Sequence, residues 1–240
     1  AGTILEDTKL PLSTWFLAAH LVLTTKKSVT SHELARKLGV KQETAWYLQQ
    51  RLARVVRRAY GRKLFGLVEV DETYVGGRTQ FEGRGTGKRT VVALVENRGP
   101  SAGSLRLEHV ASASRACLEP VVVANVQPGS AVLTDGWAGY HGIEDQGYDH
   151  AAQAQGDASR AKEHLPWVHV VFSNLKRVLH GVHTKAADDH LQGQLDLYRF
   201  RFDHRADLGR GLAIGLAALV ATPRATRSDL KNGTPAEEFY

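Results

Sequence analysis

The chain has 240 residues, 42% of them hydrophobic, enough for one well-buried core and a small appended module. A single cysteine, Cys117, excludes an internal disulfide framework; the most apolar run, residues 211–221, is too short for a membrane span, and no signal-peptide pattern opens the chain, so a cytoplasmic protein without membrane association is expected. The formal charge of +6 is uneven, because residues 24–63 hold eleven Lys or Arg against two Glu, leaving −3 on the remainder. A basic arm on a mildly acidic body suits a polyanion partner, and a solvated helix face gives the same count.

Residues 11–24 form an apolar, helix-like run with Pro11 at a first-turn position. Residues 31–38 begin with Ser31, carry Glu33 in the first turn, and space Leu34, Ala35 and Leu38 as a helix does. Gly39 then ends that helix, since glycine takes the left-handed conformation without steric cost. A longer helix is predicted from Gln42 to about Tyr60, with Ala45, Leu48, Leu52 and Val55 three or four residues apart. A short helix, a glycine turn, and a second helix with Lys41, Gln42, Thr44 and Gln49 near its start make a helix-turn-helix pattern. In that pattern the N-terminal side chains of the second helix meet base edges in the major groove. An ordinary helical hairpin shares the spacing.

From Leu64 the texture becomes β-like. Residues 67–75 alternate as a strand until Gly76 and Gly77 break it, and residues 79–88 read as a mobile basic loop, with Arg84, Lys88 and Arg89 available to DNA. Residues 90–96 and 105–110 give the second and third strands, and residues 114–126 a helix capped by Ser112 or Ser114. Residues 131–135 form a buried strand ending in Asp135, residues 148–152 a further short strand, and residues 167–181 and 186–205 two helices. This order predicts an α/β mixed sheet flanked by helices, preceded by an all-α segment. The expected divisions are a helix-turn-helix segment over residues 1–63, a catalytic domain over 64–208 and a C-terminal tail over 209–240.

Asp71 falls in the middle of a predicted central strand, where a charged side chain is rarely buried unless paired or bound to a cation. Asp135 closes a second apolar strand with the same oddity. Two strand-borne aspartates facing one edge of a sheet would make a hard-oxygen pocket suited to Mg²⁺ or Mn²⁺. Each could instead cap a turn or a helix start. Glu72 is expected on the opposite side of the strand from Asp71, in a structural role. Trp137 and Tyr140 are expected to be packed, with stacking on a base as the alternative. Among eleven histidines none has metal-ligand spacing with Cys117, so no zinc site is expected within the chain.

The wording around these residues is more specific. Val70-Asp71-Glu72-Thr73-Tyr74-Val75-Gly76-Gly77, Leu133-Thr134-Asp135-Gly136-Trp137-Ala138-Gly139-Tyr140, and the run from Leu165 to Arg177 resemble the ISXO-like DDE transposases of bacterial insertion sequences. The resemblance begins at Gly2-Thr3-Ile4-Leu5 and extends to Tyr198–Arg205, which is similar to the family's closing arginine-rich segment. It implies an RNase H-like fold with a five-stranded sheet, a transposase acting on double-stranded DNA at element ends and target, and a homodimer or higher assembly on that DNA. It also implies two Mg²⁺ or Mn²⁺ ions, with Asp71 bridging both and Asp135 binding one, for in-line displacement at phosphorus. For the third ligand the matching segment offers Asn174, whose amide oxygen suits Mg²⁺, with His169 as the other candidate. Lys176 and Arg177 are expected beside the reacting strand, on phosphate. Relatives commonly carry a cysteine-rich zinc ribbon upstream of the Gly-Thr-Ile segment; methionine is absent and Ala1 stands first, so a preceding segment is expected here too. The competing functions are a catalytically inactive or domesticated DNA-binding descendant, an RNase H-like nuclease or resolvase, and a helix-turn-helix regulator with an α/β ligand domain.

Overall fold

The computed structural model describes residues 2–59, 61–76, 88–152, 164–182 and 188–231. The chain divides into a helical unit, residues 1–61 with 186–240, and a sheet unit, residues 62–185.

The helical unit opens with α1 (Leu12–Thr24), α2 (Ser31–Leu38) and α3 (Gln42–Arg58). Thr30 rather than Ser31 caps α2, its side chain accepting the Glu33 N–H, and Gly39 ends the helix at φ 65° as its sequence position requires. The unit is completed from the far end of the chain by α6 (Asp188–Asp203), α7 (Leu208–Ala221) and α8 (Arg227–Lys231). Leu48 and Leu52 of α3 share one buried cluster with Trp15 and Val22 of α1, Phe200 of α6 and Leu219 of α7. The N-terminal strand-like segment joins the same body, with Ile4 N–H donating to Thr222 O at 2.8 Å.

These boundaries differ from those expected from the sequence. Residues 209–240 were expected as a tail, but α7 is capped by Asp207 and packs its apolar run into the helical core. The arginine-rich segment is likewise structural. Arg199 is buried and donates to Val56 O, and Arg201 donates to Val22 O at 3.1 Å and Ser28 Oγ at 2.7 Å. Burial brings the Arg201 guanidinium down to a pKa of about 10. Arg57 of α3 pairs with Asp196 of α6 at 3.1 Å with both side chains buried.

The sheet unit contains β1 (Leu67–Val75), β2 (Arg89–Asn97), β3 (Ala102–Val110), β4 (Ala131–Thr134) and β5 (Asp149–Ala152) in the spatial order β3-β2-β1-β4-β5. The β1–β2 and β2–β3 pairs are antiparallel, whereas β1–β4 and β4–β5 are parallel. Flanked by helices, this mixed sheet is the RNase H-like arrangement expected above. Helix α4 (Arg115–Asn125) leads into β4, and α5 (Pro166–Val182) packs on β1 and β2.

Side-chain alternation divides β1 cleanly. Val68 and Val70 join Val92, Leu94, Leu118 and Val122 in the core on one face. Glu69, Asp71 and Thr73 lie on the other face, all buried, on the side from which the first turn of α5 reaches Glu69.

Candidate functional site

Asp71 is the fifth residue of the nine-residue central strand and is 8% exposed. The parallel register pairs Leu67 with Ala131, Val68 with Val132 and Glu69 with Leu133. The pairing ends two residues short of Asp71 and Asp135, and Asp135 lies just beyond the last residue of β4. Asp135 follows directly on β4, where Gly136 at φ 78° turns the chain away and the Trp137 N–H donates to Asp135 Oδ1 at 2.9 Å. That bond orients one carboxylate oxygen.

The loop behind Asp135 is tightly packed. Trp137 Nε1 donates to Ala113 O at 2.8 Å, and Gly139 lies against both groups with no room for a side chain. Tyr140 is fully buried, so it packs rather than stacks on a base, and its hydroxyl donates to Glu72 Oε2 at 3.0 Å. Burial, and then the nearby carboxylates of Glu72, Asp71 and Asp135, push that hydroxyl well above the usual tyrosine range. Glu72 belongs to the face opposite Asp71, as its strand position dictates.

Helix α5 brings His169 to Asp71. His169 Nδ1 lies 4.0 Å from Asp71 Oδ2, with the imidazole 32% exposed. Five residues further on, Asn174 is turned about 140° around the helix axis. The buried face of α5, formed by Val168, Phe172, Leu175 and Leu179, lies between the two. The Asn174 amide oxygen accepts from Arg177 Nη1 at 3.2 Å. The 4.0 Å contact thus joins His169, the other candidate for the third position, to Asp71, while Asn174 meets Arg177 on its own helix. Lys176, exposed and seven residues after His169, shares the His169 flank, whereas exposed Arg177 does not.

Among the described residues no three His, Cys, Asp or Glu side chains stand close enough to hold a metal ion between them. The donor types nevertheless fit a hard divalent cation in part, with Asp71 and Asp135 offering charged oxygens and an imidazole beside Asp71 that is a poor Mg²⁺ ligand.

Glu69 was not singled out in the sequence. It is 0% exposed, and its Oε2 accepts the N–H groups of Trp167 and Val168, both at 2.9 Å, while Oε1 accepts Asn97 Nδ2 at 2.8 Å. Burial raises its pKa against the pull of these three bonds. Its signal was an acid two residues before Asp71 on the same face of a strand.

At the helix-turn-helix pattern, Lys41 and Gln42 are exposed at the start of α3, with Gln42 Nε2 donating to Ser31 Oγ at 2.8 Å, and Thr44 is half-buried. Gln49 does not join them. It is 4% exposed and donates to Val29 O at 2.6 Å, because its position falls within the apolar stripe of Ala45, Leu52 and Val56. Lys88 and Arg89 are half-buried at the start of β2, and Arg84 lies outside the described residues. Among the described residues no helix is long and apolar enough to cross a membrane.

Residues 63–203, more than half of the chain, match the family model described as the ISXO2-like transposase domain. Comparison with curated proteins gave no match. Among solved structures, the Mos1 strand transfer complex is similar at 12% identity over 92% of this chain and 82% of that chain, with a TM-score of 0.36. A pre-cleavage Mos1 transpososome is similar at 12% identity with the same coverage and a TM-score of 0.29.

Proposed function

The chain belongs to the ISXO2-like transposase family, and from that membership we propose that it cuts DNA at the ends of its element and joins the exposed 3′ ends to a target, with divalent metal held at Asp71 and Asp135. The observation that supports this reading is the parallel pairing of β1 with β4 over residues 67–69 and 131–133, a register that, extended by two residues, would bring Asp135 level with Asp71. Two carboxylates at one strand spacing are costly to bring together unless a cation lies between them and their phosphodiester substrate. Bound there, Mg²⁺ or Mn²⁺ supplies charge to an in-line displacement at phosphorus.

The protein's own groups divide the remaining work. The Trp137 N–H holds one Asp135 oxygen, leaving the other for the ion. His169, within 4.0 Å of Asp71 and partly open to solvent, takes the proton lost by the attacking hydroxyl. Lys176 on the same flank contacts phosphate. Lys41, Gln42 and Thr44 at the start of α3 read double-stranded DNA, and two or more protomers assemble on the paired ends.

The test is a strand-transfer assay with DNA carrying the element's ends, comparing the wild type with Asp71→Ala in Mg²⁺ and in Mn²⁺. Joined 3′ products from the wild type alone support the proposal, and cleavage without joining favours a nuclease or resolvase. A second reading, a DNA-binding descendant without catalysis, draws on the imidazole of His169 beside Asp71 where a carboxylate would make an all-oxygen site. It prevails if the wild type binds the ends and yields neither product.

A further inference from the structure

We propose that Glu69 is a positioning residue, a long-range cap that ties the first turn of α5 to β1 and thereby sets His169 beside Asp71. The inference rests on the reading of Asp71 and His169 given above.

Helix N-termini expose N–H groups that a nearby Ser, Thr, Asp or Asn usually satisfies. Helix α5 is preceded by Leu165 and begins at Pro166, neither of which has a side chain able to accept. Its first turn is satisfied instead by Glu69, nearly a hundred residues earlier in the chain, whose single oxygen Oε2 takes both the Trp167 and Val168 N–H groups at 2.9 Å. A buried carboxylate at a helix N-terminus is favoured by the helix dipole as well as by these charge-assisted bonds. The other oxygen is held by Asn97 Nδ2 at 2.8 Å, and Asn97 Oδ1 is itself held by the Gly99 N–H at 2.8 Å. Every oxygen of the cap is thus fixed from β1 or β2 on one side and α5 on the other.

The geometry connects this cap directly to the site. Glu69 and Asp71 are two residues apart on one face of β1, and Val168 and His169 are adjacent on α5. Strand and helix are each rigid over that span, so the pair of bonds at Glu69 sets the height and rotation at which His169 meets Asp71.

Glu69→Gln tests the link. Its amide can still accept at the helix, but its NH₂ group then faces the NH₂ group of Asn97, which cannot flip without giving up the Gly99 N–H. The double variant E69Q/N97D exchanges acid and amide and restores every hydrogen bond. In the 240-residue chain, the imidazole resonances of His169, assigned by their loss in His169→Gln, are followed by long-range ¹H–¹⁵N NMR with and without Asp71→Asn. In the wild type, Asp71→Asn is expected to move the His169 signals. In Glu69→Gln those signals are expected to be displaced already and to respond no further, with strand transfer at least tenfold lower at a temperature where the variant is folded. E69Q/N97D is expected to return the His169 signals to their wild-type positions and to recover most of the activity.

The proposal is overturned if His169 in Glu69→Gln keeps its wild-type signals and its response to Asp71→Asn. It is equally overturned if a folded E69Q/N97D leaves them displaced, and this second arm decides the matter should Glu69→Gln fail to fold. Because the NMR reading needs neither metal nor DNA, a wild type without strand transfer would count against the proposed function and not against the cap.

Discussion

Replacing Gly139 by alanine tests how closely the loop behind Asp135 is built. A Cβ there would lie 2.7 Å from Trp137 Nε1, 2.8 Å from Ala113 O and 2.8 Å from Leu118 Cδ1. Two of those atoms are the donor and acceptor of the 2.8 Å Trp137–Ala113 bond, so the methyl group would wedge it open. Overpacking costs about 1–3 kcal/mol and the lost hydrogen bond about 1 kcal/mol. The reduced freedom of the unfolded chain returns about 0.4–1 kcal/mol. The net loss is therefore about 1–3.6 kcal/mol, which at about 2–4 °C per kcal/mol for a chain of this size lowers the thermal midpoint by about 2–14 °C. Because the Trp137 N–H also orients Asp135, strand transfer at a temperature where the variant is folded is expected to fall as well. Calorimetric unfolding of wild type, Gly139→Ala, Trp137→Phe and the double variant measures this directly. The two substitutions share one bond, so the double variant is expected to cost less than their sum. A midpoint for Gly139→Ala within about 1 °C of the wild type, or strictly additive costs, would refute the reasoning.

Other outcomes follow from the same geometry. His169→Ala is expected to reduce strand transfer by at least about a hundredfold, the low end of what a proton-transfer group contributes. Asn174→Ala, whose amide meets an exposed arginine on the same helix, is expected to change stability by less than about 0.5 kcal/mol and activity little. Gln49→Ala removes the donor to a buried carbonyl and is expected to cost about 1–3 kcal/mol in denaturant unfolding. Lys41→Ala, by contrast, is expected to leave stability alone while reducing the salt dependence of DNA binding by about one counterion. Tyr198 is pushed up to about 12 by burial. Its raised pKa in the folded state means a stabilising contribution intact below about pH 10, the ordinary tyrosine value, and lost as pH climbs towards 12. Tyr198→Phe is accordingly expected to gain on the order of 2 kcal/mol relative to the wild type between pH 9.5 and pH 12 in alkaline unfolding. A constant difference across that range would exclude it.

What the sequence disclosed follows from periodicity. Gly39, the helices on either side of it, and the strand over residues 67–75 were readable because local spacing and turn chemistry agree with the final fold at those places. The site was readable in part. Alternation put Asp71 and Glu72 on opposite faces, but the pairing of β1 with β4, which separates Asp71 from Asp135 by one strand, joins segments distant in the chain. His169 and Asn174 could not be ranked from spacing, since only the packing of α5 decides which flank meets β1. Gln49 could have been ranked, because it stands four residues after Ala45 and three before Leu52, inside the apolar stripe. Arg199 and Arg201 were unreadable for the opposite reason. Arginine is rarely buried, and their carbonyl partners on α3 and α1 come from the other end of the chain.

The split course of the helical unit has a consequence for how the protein is made. Leu48 and Leu52 leave the ribosome long before Phe200 and Leu219, which complete their core. At about 5–20 residues per second, the nascent α1–α3 segment waits on the order of 10 s for its partners, while the whole of the sheet unit is being synthesised. The basic helices before the sheet therefore reach their full core only once Phe200 and Leu219, beyond the sheet, have been made.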